Sequence, residues 1–331
     1  MPRLPSALPP QPPVAALARQ DVTLSVRAVA VATVVTAVLI AAPYFATAVV
    51  NDWIISAASL VILAIAWNIA SNAGLISLGH SAFWGVGSYA AVLAANRTGM
   101  PLYVALLPAI VAGCILGAFL AIVTGRLRGI YFAISALAMS EGLRIAAVML
   151  MDLTGGSEGI YVDPKLRIAP ASIAALMIGG ALVAFALSWW MSRTSWHYAF
   201  RAMRANESAA QMLGVAPIRF RVAVLMISGA MTGFAGGVSI WYGGFIDPNI
   251  AFDLRITILA QIAPILGGVN TLIGPVIGAG LAVVLSETTR IWLGTDGVSV
   301  LVYGLALVLC ILYLPHGVWG AIRTRRRGTR P

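Results

Sequence analysis

Residues 101–124, PLYVALLPAIVAGCILGAFLAIVT, carry no charged side chain over their whole length. A helix rises about 1.5 Å per residue, so about 20 apolar residues cross a hydrocarbon core of about 30 Å. Runs of the same kind recur on both sides of this one. The chain therefore reads as all-α, a polytopic membrane protein of about ten spans with Gly-rich helix breaks. The spans fall near 28–50, 54–70, 81–96, 101–124, 129–150, 171–191, 222–245, 256–269, 274–289 and 298–316. Transmembrane β-strands are excluded, because they are shorter and alternate apolar with polar residues. Composition agrees: the 331 residues are 60% hydrophobic and 10% charged, with mean hydropathy +0.93.

The net charge of +10 lies beside the spans rather than in a soluble domain, which argues for a bilayer and against nucleic acid as partner. Placing the N-terminus inside collects Arg19, Arg27, Arg126, Arg128, Arg193, Arg219, Arg221 and the arginines of the C-terminal tail on one side. The other side then holds Arg97, Lys165, Arg167, Arg255 and Arg290, diluted by acids. By the positive-inside rule both termini are cytoplasmic. The organisation that follows is a Pro-rich cytoplasmic tail over 1–27, a transmembrane domain over 28–320 and a basic tail over 321–331. Residues 192–221 form a cytoplasmic insert. The first 20 residues have no apolar core of the signal-peptide kind, so the first span is expected to stay uncleaved.

Lys165 is the only lysine, in Asp163-Pro-Lys-Leu-Arg167, away from any Gly-rich turn. A phosphate-binding P-loop needs such a turn ending in Lys and Ser or Thr. This chain is not expected to be an enzyme, and any ATP-driven work falls to another polypeptide. Cys114 and Cys310 lie in separate apolar runs and read as small buried hydrophobes. No metal-ligand spacing occurs, and no cofactor is called for.

Two stretches break the helical pattern. Asn72-Ala-Gly-Leu-Ile-Ser-Leu-Gly-His80 lies between the second and third spans, and Pro264-Ile-Leu-Gly-Gly-Val-Asn-Thr-Leu-Ile-Gly-Pro275 between the eighth and ninth. Irregular backbone at membrane depth survives only where protein or a wet cavity satisfies it, and paired breaks point to a substrate path. Asn72, Ser77, His80, Gly267 and Gly268 are the pathway candidates here. Glu141 and Arg144 stand one turn apart inside the fifth span. Charges there must pair or face a polar cavity, so Glu141 is either half of a structural ion pair or part of the pathway. Ser77 and His80 suggest nucleophilic catalysis only weakly, since no third group is evident. The small-xxx-small glycines Gly229, Gly233, Gly236 and Gly237 mark close helix packing, internal or between subunits.

The insert contains Arg201-Ala-Met-Arg-Ala-Asn-Glu-Ser-Ala-Ala-Gln-Met-Leu-Gly214. As one helix it puts Phe200, Met203, Ala210 and Leu213 on one face and Arg201 and Arg204 on another, with Gly214 as its C-terminal cap. It resembles the coupling loop of ABC-importer permeases, whose signature is Glu-Ala-Ala and then Gly after three residues. Ala209, Ala210 and Gly214 match; Glu207 sits one place early, with Ser208 in its position.

Further segments resemble the branched-chain amino acid importer permeases of the LivM type. They are Gly74-Leu-Ile-Ser-Leu-Gly-His-Ser-Ala-Phe-Trp-Gly-Val-Gly-Ser-Tyr89, Arg126-Leu-Arg-Gly-Ile-Tyr-Phe-Ala-Ile-Ser-Ala-Leu-Ala138, Leu153-Thr-Gly-Gly-Ser-Glu-Gly-Ile160 and Leu266-Gly-Gly-Val-Asn-Thr-Leu-Ile-Gly-Pro-Val-Ile-Gly-Ala279. The resemblance implies a permease working by alternating access. It implies as partners a homologous second permease, two ATP-binding subunits and a periplasmic substrate-binding protein. It also implies ATPase coupling through Arg201, Arg204, Glu207, Ala209, Ala210 and Gly214. Substrates in that family extend to urea, amides and small organic acids. An ion-coupled secondary transporter would explain the breaks and Glu141 without partners, but not the coupling-type insert.

Overall fold

The computed structural model describes residues 35–293, 304–305 and 318–319. Contacts divide the chain into two units, Met1–Val38 and Leu39–Pro331. Of the first, the described residues 35–38 are helical. Helices of more than one turn in the second are α1 (Ala48–Asn72), α2 (His80–Thr98), α3 (Leu102–Val123), α4 (Ile130–Met149) and α5 (Pro170–Arg193). They continue as α6 (Ser195–Ala205), α7 (Glu207–Met212), α8 (Pro217–Gly243), α9 (Leu254–Gly267) and α10 (Gly274–Leu293). Two short strands, β1 (Ile160–Tyr161) and β2 (Phe245–Ile246), pair antiparallel with Ile160 opposite Ile246.

Among the described residues six helical segments are long and apolar enough to cross a membrane: α1, α3, α4, α5, α8 and Pro248–Gly267. The count of ten is not reached there. α2 is diluted by glycines, serines, Asn96 and Arg97, and the apolar part of α10, Gly274–Thr288, is short. Nearly all of the expected span 298–316, residues 28–34 of the first one and both tails lie outside the described residues.

The first expected boundary also moves. Helix 28–50 was to end before Asn51 and Asp52, yet α1 begins at Ala48 and runs through both. Pro43 closes a 3-10 turn, Thr47 caps α1 by accepting from the Val50 N–H, and the buried Asn51 amide donates to the Pro43 carbonyl at 3.1 Å. A polar pair in a first helical turn has partners that a mid-helix pair lacks.

The core forms around α1 and α8, whose spanning windows are 72% and 67% buried, against 28% for α4 and 33% for α3 and α5. Glycine makes the approach of α8 to α2 and α3 close. A Cβ on Gly229 would overlap the Gly113 carbonyl, and one on Gly87 would overlap Gly233. This places the small-residue stripe in internal packing, where backbones touch without a side chain between them. The α9–α10 hairpin closes in the same way through Gly267, Gly274 and Gly278. The bundle thus has one end built from the α1 and α5 C-termini, α6, α7, the α8 N-terminus and the 268–273 turn. The β1–β2 pair lies at the other, where Trp241 at the far end of α8 donates to the Leu166 carbonyl.

Candidate functional site

The insert is two helices rather than one. Asn206 is extended (φ −161°, ψ 110°), which ends α6, and its side chain caps α7 by accepting from the Ala209 N–H at 3.1 Å. An Asn ahead of Glu207 offers the backbone this cap as an alternative to continuing the helix. The single-helix face therefore holds only in part: Phe200, Met203 and Ala210 are buried, but Leu213 is 80% and Met212 91% exposed. Gly214, at φ +85°, ends α7 with two turn bonds, Val215 N–H to the Ala210 carbonyl and Gly214 N–H to the Gln211 carbonyl. That is the Schellman arrangement, which requires a left-handed residue.

Two anchors hold the insert to the bundle. In α6, Trp196 packs edge-on against Phe200 and against Phe220 of α8, and is tilted against Trp190 of α5. In α7, Glu207 accepts from Arg221 of α8 at 2.9 Å and pairs with Arg128, just before α4, at 3.0 Å. Arg221 is only 5% exposed, and its other terminal nitrogen donates to the Gly125 and Leu127 carbonyls at 3.1 and 2.9 Å. The sequence singled out Glu207 for a partner surface, but the carboxylate faces inward. Arg221 and Arg128 escaped notice because nothing in their spacing to Glu207 shows that α8 and the α3–α4 connection meet there.

The two breaks attach to the same stretch of α1. The Trp67 indole donates to the Ser77 carbonyl at 3.1 Å. Its neighbour Asn68 donates to the Thr271 carbonyl at 3.0 Å and accepts from the Asn270 N–H at 2.9 Å. Ser77 and His80 are both 0% exposed. The Ser77 hydroxyl accepts from the Gly79 N–H, and the His80 ring sits 3.1 Å from the Ser228 hydroxyl and edge-on to Phe83. In this conformation both are packing residues at the start of α2. Gly267 and Gly268 close the α9–α10 hairpin, while Asn72 lines a cavity at the insert end with Arg201, Arg204 and His197.

Glu141 and Arg144 form the ion pair, with the Arg144 Nε 3.0 Å from both carboxylate oxygens. A further Arg144 nitrogen donates to the Asn249 amide oxygen at 3.0 Å. The pair borders a cavity of about 390 Å³ with Ser81, Ser140, Asn249 and Asp253. Behind it Ser81, Ser140 and Thr257 join α2, α4 and α9: the Ser81 N–H donates to Thr257 at 2.9 Å, and the Ser81 and Ser140 hydroxyls are 2.7 Å apart. Asn249 and Thr257 carried no sequence signal, because an isolated amide or hydroxyl in a span is common. The Glu141 side chain is 53% exposed in the middle of α4. A charge there is too costly to face lipid, so this face of α4 meets water or protein. Among the described residues no group of His, Cys, Asp and Glu is arranged to hold a metal ion.

Residues 49–312 match the family described as the branched-chain amino acid transport system permease component. The chain is 27% identical over 289 residues to the high-affinity branched-chain amino acid transport system permease protein LivM of Salmonella typhimurium. That alignment covers 78% of this chain and 67% of the relative, and the LivM of Escherichia coli matches equally. The autoinducer 2 import system permease protein LsrC of Yersinia pseudotuberculosis is 29% identical over 240 residues, covering 69% of this chain and 66% of that one. No solved structure matches significantly. Since the family match runs from the first turn of α1 through both breaks, the α4 ion pair and the α6–α7 insert, the chain belongs to the branched-chain amino acid transport permease family and is a multi-pass membrane transport component.

Proposed function

We propose that the chain is one permease subunit of an ATP-driven importer in a bacterial inner membrane, with a second, homologous permease, two ATP-hydrolysing subunits and a periplasmic binding protein as partners. The observation that carries this reading is the exposed apolar tip of the α6–α7 insert, Met212 and Leu213. A solvated loop has no reason to hold two large apolar side chains in a capped, anchored turn, whereas a docking knob does. The insert faces the cytoplasm with both termini. Ala209, Ala210 and Gly214 shape the knob, and Glu207 passes its motion inward. A push on α7 reaches α8 through Arg221 and α4 through Arg128, and a push on α6 reaches α5 and α8 through Trp196.

The pathway runs past the α4 face that carries Glu141 and Arg144. A carboxylate and a guanidinium side by side complement the ammonium and carboxylate of an amino acid zwitterion. That supports a branched-chain or related amino acid as solute rather than a neutral one such as urea. Ser77, His80, Gly267 and Gly268 hold the broken helices that flank this route, and the attachment of one break to Trp67 and of the other to Asn68 gives them a shared hinge on α1.

Affinity purification of the full chain from its native membrane should bring down nucleotide-binding subunits. Uptake by the reconstituted complex should need ATP and no ion gradient. Glu141→Gln and Arg144→Gln singly should each lower membrane yield more than the double variant, because a single change leaves one charge stranded. The double variant should recover yield and still fail to take up leucine. Full uptake by the double variant would make the pair structural only, and ion-driven uptake without ATP would favour a secondary transporter.

A further inference from the structure

At the insert end a second cavity, of about 310 Å³, opens between the C-termini of α1 and α5, helix α6 and the 268–273 turn. Its lining includes Asn72, Ser188, His197, Arg201, Arg204, Thr271 and Trp319, and among the described residues no acidic one. Among the described residues neither Arg201 nor Arg204 has an ion-pair or hydrogen-bond partner. Of the other arginines at the insert end, Arg221 and Arg128 share Glu207, Arg193 lies over the Trp189 ring, and Arg126 and Arg219 do not line this cavity. Arg201 and Arg204 are both exposed and lie one turn apart on α6, and the neutral amides and hydroxyls around them supply no counter-charge. An anion does. Fork-shaped guanidinium donors with hydroxyl and amide donors beside them suit a tetrahedral oxyanion such as phosphate.

The depth of the cavity favours one source. The last turns of α5 carry Trp189 and Trp190, and Trp196 lies in the first turn of α6. Tryptophans of this kind collect at the level of lipid headgroups. We propose that this cavity is a binding site for the phosphate group of an anionic phospholipid, with Arg201 and Arg204 as its main ligands. Such a lipid would tie α6 to the ends of α1 and α5 and to the 268–273 turn, and so set how freely the insert moves. Basic pockets between spanning helices on the cytoplasmic side take lipid headgroups for the same electrostatic reason.

The test compares thermal unfolding of the purified full chain in neutral detergent with added dioleoyl phosphatidylglycerol, dioleoyl phosphatidylcholine or inorganic phosphate. Phosphatidylglycerol should raise the unfolding midpoint where phosphatidylcholine does not, with native mass spectrometry showing it retained. Arg201→Gln/Arg204→Gln should weaken retention roughly thirtyfold, about fivefold per arginine, and Arg219→Gln, an exposed arginine away from the cavity, should not. Arg201→Lys/Arg204→Lys keeps the charges and should retain most of the preference, which covers the case in which the glutamine variant does not fold. Stabilisation by inorganic phosphate with none from phosphatidylglycerol would support the phosphate site and assign it to a free anion. The site is overturned by equal response to both lipids with no response to phosphate. It is overturned equally by an unchanged lipid preference in the glutamine variant, above all if that variant loses co-purifying nucleotide-binding subunits.

Discussion

At the base of the insert one carboxylate answers two guanidinium groups. Glu207 neutralises Arg221, a cation almost wholly buried among the α3–α4 carbonyls, and draws in Arg128 from solvent. Removing one partner of a buried pair leaves the other charged in a low dielectric, which costs about 3 kcal/mol. Glu207→Gln should therefore lower the thermal midpoint of the purified protein clearly, and Arg221→Met added to it should return much of the loss. Unchanged stability in Glu207→Gln would mean that water, not the carboxylate, satisfies Arg221. The sequence drew attention to Glu207 as part of a partner contact, and not to the two arginines that hold it inside the bundle. A motif displaced by one residue is visible in a single chain, whereas a partner 14 positions on, across a turn, is a product of folding. Ser77 and His80 show the same limit in reverse. Their polarity beside glycines suggests a wet route, yet the Ser77 hydroxyl and the His80 Nε2 find partners in Gly79 and Ser228 inside a buried helix junction.

At the scale of elements, uncharged runs locate most of the helices to within a few residues, because a bilayer leaves the backbone few other ways to satisfy itself. Both breaks are likewise visible, although α9 continues through Pro264 to Gly267 before the chain turns. The split of the insert at Asn206 was not visible, since the apolar spacing across it fits one helix as well as two. Nor was the partner of the α8 glycines, which spacing alone leaves open. The structure assigns them to α2 and α3, with consequences for stability. Gly229→Val puts a branched side chain against the Gly113 carbonyl and the Phe83 ring, in a contact that has no room to relax. Overpacking of this sort costs about 1–3 kcal/mol or more. The variant should yield less monodisperse protein and melt earlier on a fluorescence-detected size-exclusion thermal ramp. Gly142→Val, whose Cβ has open space, should behave like the parent. Equal behaviour of the two would show that α3 and α8 separate easily.

For the whole molecule, the arrangement separates two tasks. One end carries an anchored insert with an apolar tip, and an exposed charged pair sits in the middle of α4, the least buried of the spanning helices. Arg128 stands two residues before α4, so the insert and the charged pair are joined through a single rigid element. In the proposed mechanism this link carries movement at the tip to the surroundings of Glu141 without any contact between the two. The central claim is that an ATP-hydrolysing partner grips that tip. The direct measurement is site-specific cross-linking of Leu213→Cys, in an otherwise cysteine-free full chain within its native membrane, using a short bifunctional thiol reagent. The account predicts one cross-linked product that contains a nucleotide-binding subunit, with a yield that shifts when ATP is trapped by vanadate. A Leu213→Cys thiol that reacts freely with a water-soluble maleimide and forms no cross-link in any nucleotide state would contradict it.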